Sequence, residues 1–122
     1  MAVTSITIAQ IASALLFTDT DQANSAVSVK GSSATIYEIE IDNTLNAAQD
    51  NYVKFYNTAG AVTVGTTVPD MIIEVRQGVK RTIVIPDGFV FETGLAVATV
   101  TAGGTGGTTS PTSDVTVKIV YV

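Results

Sequence analysis

Glu38 and Glu40 stand two residues apart in the run Ala34–Asp42. On an extended strand that spacing puts both carboxylates on one face, about 7 Å apart. Two carboxylates at such a separation can carry out glycoside hydrolysis, one as acid and one as base or nucleophile. The chemistry also needs burial to raise one pKa, and no burying segment adjoins Glu38 or Glu40. With Asp42 they form the hydrophilic side of an amphipathic strand. Asp19, Asp21 and Asn24 have the spacing of half a calcium loop, but no bidentate Glu closes it, the next Glu being Glu38. They read as a solvated turn. Gly103-Gly104-Thr105-Gly106-Gly107 lacks the Gly-Lys-Ser/Thr step into a helix that a phosphate loop needs. The chain has no His, Cys or Trp. Its many Ser and Thr therefore have no imidazole to activate them, and the imidazole and thiolate on which most transition-metal sites lean are missing. We expect a non-enzyme with no cofactor and no metal.

Two further groups suit binding. Tyr52, Lys54 and Tyr56 alternate along one strand and make an outward aromatic and basic stripe. Such a stripe serves a subunit interface, where Tyr is enriched, or stacks a sugar or a base. Arg76, Lys80 and Arg81 hold half of the six basic residues. They suit a soluble turn, which nearby Glu74 supports, or docking onto an acidic partner.

Charge narrows the partners. Eleven Asp and Glu stand against six Lys and Arg, a net charge of −5. Nucleic acid demands a basic footprint, and an anionic membrane surface would repel the chain, so neither is expected as a partner. Only 14% of residues are charged while 46% are hydrophobic. A surface so poor in charge suits a protein that covers part of itself with other copies or with a partner.

The elements that must position these groups are strands. Residues 26–30 form a short one. In Ala34–Asp42, Thr35, Tyr37, Ile39 and Ile41 share one face, and Ile36, Glu38, Glu40 and Asp42 share the other. Residues 51–57 turn Val53 and Phe55 inward; Lys54 would face Glu38 or Glu40 if these two strands pair. Residues 58–69 cross one end of the molecule as a loop. Residues 71–76 and 80–85 make a hairpin around Gln77-Gly78, Pro86-Asp87-Gly88 is a turn, and residues 89–91 are a short strand or a plug. Residues 95–101 are a strand, residues 102–111 a mobile glycine-rich loop, and residues 115–122 the last strand. Seven to nine short strands with frequent turns describe an all-β, antiparallel β-sandwich or jelly roll. The 122 residues fit one such domain, 18–122.

Residues 1–17 resist that pattern. Val3-Thr4-Ser5-Ile6-Thr7-Ile8 reads as a strand, whereas Ile11, Ala14 and Leu15 suit a helical turn. We expect an arm that orders against a neighbour through Ile11, Leu15, Leu16 and Phe17. The first basic residue is Lys30, so no secretory leader is expected and synthesis should be cytoplasmic.

The stretch Asn51-Tyr52-Val53-Lys54-Phe55-Tyr56-Asn57 resembles a Tyr-x-Lys-x-Tyr strand found in small β-sandwich virion proteins of tailed bacteriophages. Residues 61–69, Ala-Val-Thr-Val-Gly-Thr-Thr-Val-Pro, look like that family's Val-Gly-Thr-x-x-Pro loop. Residues 85–96 resemble its Gly-x-x-Phe-x-Thr-Gly-Leu/Ile-Ala turn, and the closing strand is similar too. The resemblance covers residues 51–122 and does not extend to the first fifty. It implies a multi-copy accessory protein, a capsid decoration or cement protein, often trimeric, docked on the major capsid protein or another virion protein. Net acidity would suit the outer surface of the head. The competing expectation is a tail or spike module that binds host-surface glycans through Tyr52 and Tyr56.

Overall fold

The computed structural model describes residues 13–122, so the expected strand over residues 3–8 and the arm residue Ile11 lie outside the described part. Eight strands follow in order: β1 Leu15–Asp19, β2 Val27–Lys30, β3 Ala34–Asp42, β4 Asn51–Tyr56, β5 Met71–Val75, β6 Lys80–Phe91, β7 Leu95–Val100 and β8 Thr116–Tyr121. No helix occurs among the described residues. The strands build two four-stranded antiparallel sheets, in the orders β1-β8-β3-β6 and β2-β7-β4-β5. Strands one and eight, two and seven, three and six, and four and five pair in nested fashion, alternating between sheets. That is the eight-stranded jelly roll, a single long hairpin rolled up so that its pairs fall by turns into two layers.

The core between the layers is aliphatic with a few rings. Ile36, Ile39, Ile41, Val117 and Ile119 come from the first sheet, and Val53, Phe55, Val75, Leu95 and Val97 from the second; all are buried. Phe91 closes one end, with its ring 6.4 Å from Phe55 and 5.3 Å from Phe89.

A bulge corrects the reading of β3. Ile36 pairs with Tyr121 and Glu38 with the adjacent Val120, which leaves Tyr37 as an extra residue. The bulge shifts the alternation by one, so Ala34 and Ile36 point inward before it and Ile39 and Ile41 after it. Ile36 therefore joins the core instead of the wet face. On β6 the same irregularity absorbs Pro86, Asp87 and Gly88, because Glu38 pairs with Val84 and Ile36 with Phe89. The expected turn is thus a kink inside one long strand. Gly88 has φ +77, and a Cβ there would meet Thr35 Cγ2 at 2.5 Å.

The expected hairpin at Gln77-Gly78 is instead a corner. β5 pairs with β4 in one sheet and β6 with β3 in the other. The turn is tight, with Val79 N–H donating to Arg76 O at 3.2 Å and Gly78 at φ +66. A buried amide pulls the corner over: Asn43 Nδ2 donates to Arg76 O at 3.0 Å and to Gln49 O at 2.9 Å. β3 and β4 also lie in different sheets, so Lys54 does not face Glu38 or Glu40.

Candidate functional site: the outer faces of the two sheets

Each sheet has one face turned away from the core, and the two are finished differently. On the second sheet the outward residues are Tyr52, Lys54 and Tyr56 of β4, with their cross-strand partners Val100, Ala98 and Ala96 of β7. This is the stripe expected to be a surface. It does point away from the core, but two loops roof it. Val62 and Val64 pack on Tyr56, Ala96 and Ala98. Residues 58–69 therefore cover a sheet face and not an end of the sandwich. Residues 102–111 cover Lys54 and part of Tyr52, while Ile72 and Glu74 on the neighbouring edge strand β5 stay exposed. Lys54 Nζ donates to Thr105 O at 3.3 Å and to Gly107 O at 2.9 Å, and a Cβ on Gly103 would come within 3.1 Å of the Tyr52 ring. Asn24 Nδ2 fastens the same loop through Thr108 O at 2.8 Å. The glycine-rich segment is a packed lid, because glycine lets its backbone approach an aromatic ring and an ammonium group closely.

Lys54 and Tyr56 are consequently buried, while Tyr52 is half-buried. Burial pushes the Lys54 pKa down and the Tyr56 pKa up. The Tyr56 hydroxyl has no hydrogen-bond partner. As folded, this chain offers neither a Tyr52–Tyr56 stacking platform nor an exposed basic stripe; the expected oligomer or glycan surface is internal.

Among the described residues no loop roofs the first sheet. Direct cross-strand pairing lines up Leu16, Val120, Glu38 and Val84 on its outer face. Leu16 is 63% exposed and Val84 64%; Val90, further along β6, is 54% exposed. Beside the bulge, Tyr37, Glu38, Val84, Ile85, Pro86 and Val120 line a shallow hollow of about 150 Å³. The next row is polar, with Thr18, Lys118, Glu40 and Thr82 in register. Glu40 lies 3.3 Å from Lys80 and 4.0 Å from Lys118. Glu38 and Glu40 therefore belong to two different rows, one apolar and one ion-paired.

The expected contact residues divide between places. Leu15, Leu16 and Phe17 form the start of β1, at one edge of the first sheet; Phe17 packs on the core and Leu15 and Leu16 are exposed. Lys80 and Arg81 lie on β6, the opposite edge of that sheet. Lys80 is paired with Glu40, and Arg81 Nη1 donates to Glu74 O at 2.7 Å, tying the two sheets together at the corner. Arg76 is exposed at the same corner.

The Asp19–Asn24 turn does not assemble as a cation site. Asp21 N–H donates to Asp19 Oδ1 at 3.1 Å and Gln22 Nε2 to Asp19 Oδ2 at 3.0 Å. A hydrogen bond to Asp19 and the repulsion of its charge hold the Asp21 carboxyl above its ordinary range. Among the described residues no group of three or more His, Cys, Asp or Glu is placed to hold a metal.

Sequence reasoning missed an asparagine cluster at the corner end. Asn46 Nδ2 donates to Asn43 Oδ1 at 2.9 Å and Asn51 Nδ2 to the same oxygen at 2.7 Å. Asn46 also grips Ser113 through both ends of its amide, at 2.9 Å and 2.8 Å. All three asparagines are buried. Their recurrence at positions 43, 46 and 51, from the end of β3 to the first residue of β4, was the available signal.

No known protein family matches the chain, and no curated protein matches it in sequence. Among solved structures, the chain is similar to one from the structure of infectious bursal disease virus Gx strain, at 15% identity and a TM-score of 0.31. That alignment covers 92% of this chain and 31% of the viral one, so this chain spans about a third of its length. A likeness that loose adds nothing to the topology described above, and it gives no support to the expected likeness of residues 51–122 to tailed-phage virion proteins.

Proposed function

We propose that this chain is a non-enzymatic structural protein of a virion. It attaches as a small oligomer, a trimer being favoured, to the outside of a tailed-phage head and stabilises the shell. Its docking partner is the major capsid protein or another virion protein. The virion part of this reading comes from the motif resemblance. The observation that carries the docking part is the unequal finish of the two outer faces. The second sheet buries the outward residues of β4 and β7 under its own loops, with Ile72 and Glu74 of its edge strand β5 left exposed, whereas the first leaves Leu16, Val84 and Val90 in water. Covering apolar surface contributes roughly 25 cal/mol for each Å² removed from water, and a partner docked on the first sheet would supply that cover. Binding by shape and burial is passive and needs no catalytic group.

The test is co-sedimentation of purified protein with phage heads that lack it. The wild-type chain should pellet with the heads, and a Leu16→Asp, Val84→Asp double variant with unchanged circular dichroism should stay in the supernatant. Equal pelleting of both proteins would remove the first sheet's outer face from the account. Failure of the wild-type chain to pellet would remove the head assignment.

A further inference from the structure

The bulge in β3 does more than reset which side meets the core. Ile36 and Ile39 are buried, while Tyr37 and Glu38 between them are half-buried. Two consecutive residues of one strand therefore face outward. A regular strand would turn one of them into the core; the extra residue of a bulge re-aims it. A phenol ring and a carboxylate thus stand side by side on the outer face of the first sheet. The Tyr37 ring leans on the β6 kink, where a Cβ on Gly88 would lie 3.0 Å from Tyr37 Cε1. Together with Val84, Ile85 and Pro86 of β6 and Val120 of β8, the two residues wall the hollow of about 150 Å³. That is room for one long side chain.

Glu38 is the single charged residue that lines this hollow, and the chain gives it no counter-charge. Among the described residues its carboxylate makes no ion pair and no hydrogen bond. The lysines of the same sheet are engaged one row away, where Lys80 and Lys118 approach Glu40 at 3.3 Å and 4.0 Å. Arg81 is held at Glu74 O, and Lys54 lies under the lid of the other sheet. Residues 1–12 contain no Lys or Arg, so they bring no basic side chain to the hollow. Open to water, the carboxylate needs no partner. Covered by an apolar surface it would become a buried, uncompensated charge, which is strongly unfavourable. A partner that covers the Leu16–Val84 row must therefore set a cation at Glu38. The hollow suits a basic side chain in particular. Such a side chain lays its methylene stem along apolar surface and keeps its charge at the polar rim. Its ammonium or guanidinium is also attracted to the face of a tyrosine ring.

We propose that this hollow receives a lysine or arginine side chain of the protein on which the chain docks. The stem lies against Val84, Pro86 and Val120, and the charge sits between Glu38 and Tyr37. The inference rests on the first sheet's outer face being the docking face. It adds what the docked surface must carry, a basic residue set in an apolar patch. Glu38 then acts as a filter as well as a contact, because a purely apolar surface would strip its water and return nothing.

Two probes test this on the full chain. The first is co-sedimentation with phage heads that lack the protein. Glu38→Gln keeps the shape of the side chain and removes its charge. With unchanged circular dichroism it should bind the heads at least about tenfold more weakly than the wild type, and its binding should depend less on salt. Unchanged affinity and salt dependence would overturn the inference and leave the docking face in place. A wild-type chain that does not pellet would remove the docking reading, and the second probe then decides the hollow by itself. That probe is n-butylammonium chloride, a lysine side chain without its backbone, titrated into isotope-labelled protein. The nuclear magnetic resonance signals of Tyr37, Val84 and Val120 should shift in the wild type and much less in Glu38→Gln, and uncharged n-butanol should shift them less than the cation does. Equal shifts in the two proteins, or none in either, would overturn the proposal. Sedimentation of the protein without heads checks the remaining occupant. A loss of oligomer mass in Glu38→Gln would mean that a second copy supplies the cation, through Lys30 or Arg76, and would overturn the assignment to the docking partner.

Discussion

Replacing Lys54 by Met keeps the reach of the side chain and removes its charge. Nζ is buried with two carbonyl acceptors, Thr105 O and Gly107 O. It appears in neither of the ion pairs found among the described residues. Two effects oppose one another at neutral pH. Hydrogen bonds from a charged donor contribute about 1.5–3 kcal/mol each, and holding an ammonium group away from water costs several kcal/mol. They nearly cancel, so Lys54→Met should change global stability by less than about 2 kcal/mol at pH 7. The pH dependence separates the two. Burial holds the Lys54 pKa below its ordinary 10.5. Between the lowered value and 10.5 the unfolded chain binds a proton that the folded chain does not, so stability rises with pH through that window. Each unit of depression adds about 1.4 kcal/mol to the rise. Urea melts of both proteins from pH 7 to 10.5 measure it, and the Met variant should lack the rise. Hydrogen exchange at Thr101, whose N–H donates to Thr109 O at 2.9 Å across the base of the lid, should quicken in the variant. An unchanged pH slope with unchanged exchange would mean that Lys54 neither feels its burial nor holds the lid.

Tyr56→Phe removes a buried hydroxyl that has no partner and should be neutral or stabilising by up to about 1 kcal/mol. Because burial raises the Tyr56 pKa above its ordinary 10.0, the folded state keeps its proton above pH 10 while the unfolded state loses it. The wild-type chain should therefore lose stability there, and the same urea melts should show the Phe variant without that loss. Gly88→Ala puts a side chain at φ +77 against Thr35 and Tyr37; it should cost about 2 kcal/mol or more in a urea melt, and no loss would mean that the β6 kink is not held. Asn43→Ala removes the oxygen that Asn46 and Asn51 share and one donor to each of the Gln49 and Arg76 carbonyls. It should destabilise by about 2–4 kcal/mol, with the largest gain in exchange at Gly78 and Val79.

Alternation carried the sequence reading where one side of a strand met the core and the other met water. Val53 and Phe55 were legible in this way. The reading failed where burial depends on distant segments. Lys54 and Tyr56 were placed on the correct side of β4, but their cover comes from residues about fifty positions later and about six later, which no local period reports. The signal that existed was in β7: Leu-Ala-Val-Ala-Thr-Val is apolar or small at every position, and such a run marks a strand covered on both faces. β3 held a similar clue. Ile36 and Ile39 are three apart, and two buried residues with odd spacing cannot share a face of a regular strand, so a bulge had to lie between them. The corner between β5 and β6 was hidden because Gln77-Gly78 suits a hairpin equally well; only the pairing of each strand with a different neighbour decides it. The bare face of the first sheet was not legible, since Leu16, Val120, Glu38 and Val84 come from four strands and meet only through register.

A density map of the intact phage particle by electron microscopy tests the central claim most directly. The account predicts the eight-stranded sandwich on the outside of the head, the Leu16–Val84 row pressed against a neighbouring protein and the roofed sheet turned to solvent. A particle without this chain, or one in which the Leu16–Val84 row faces open water, would contradict it.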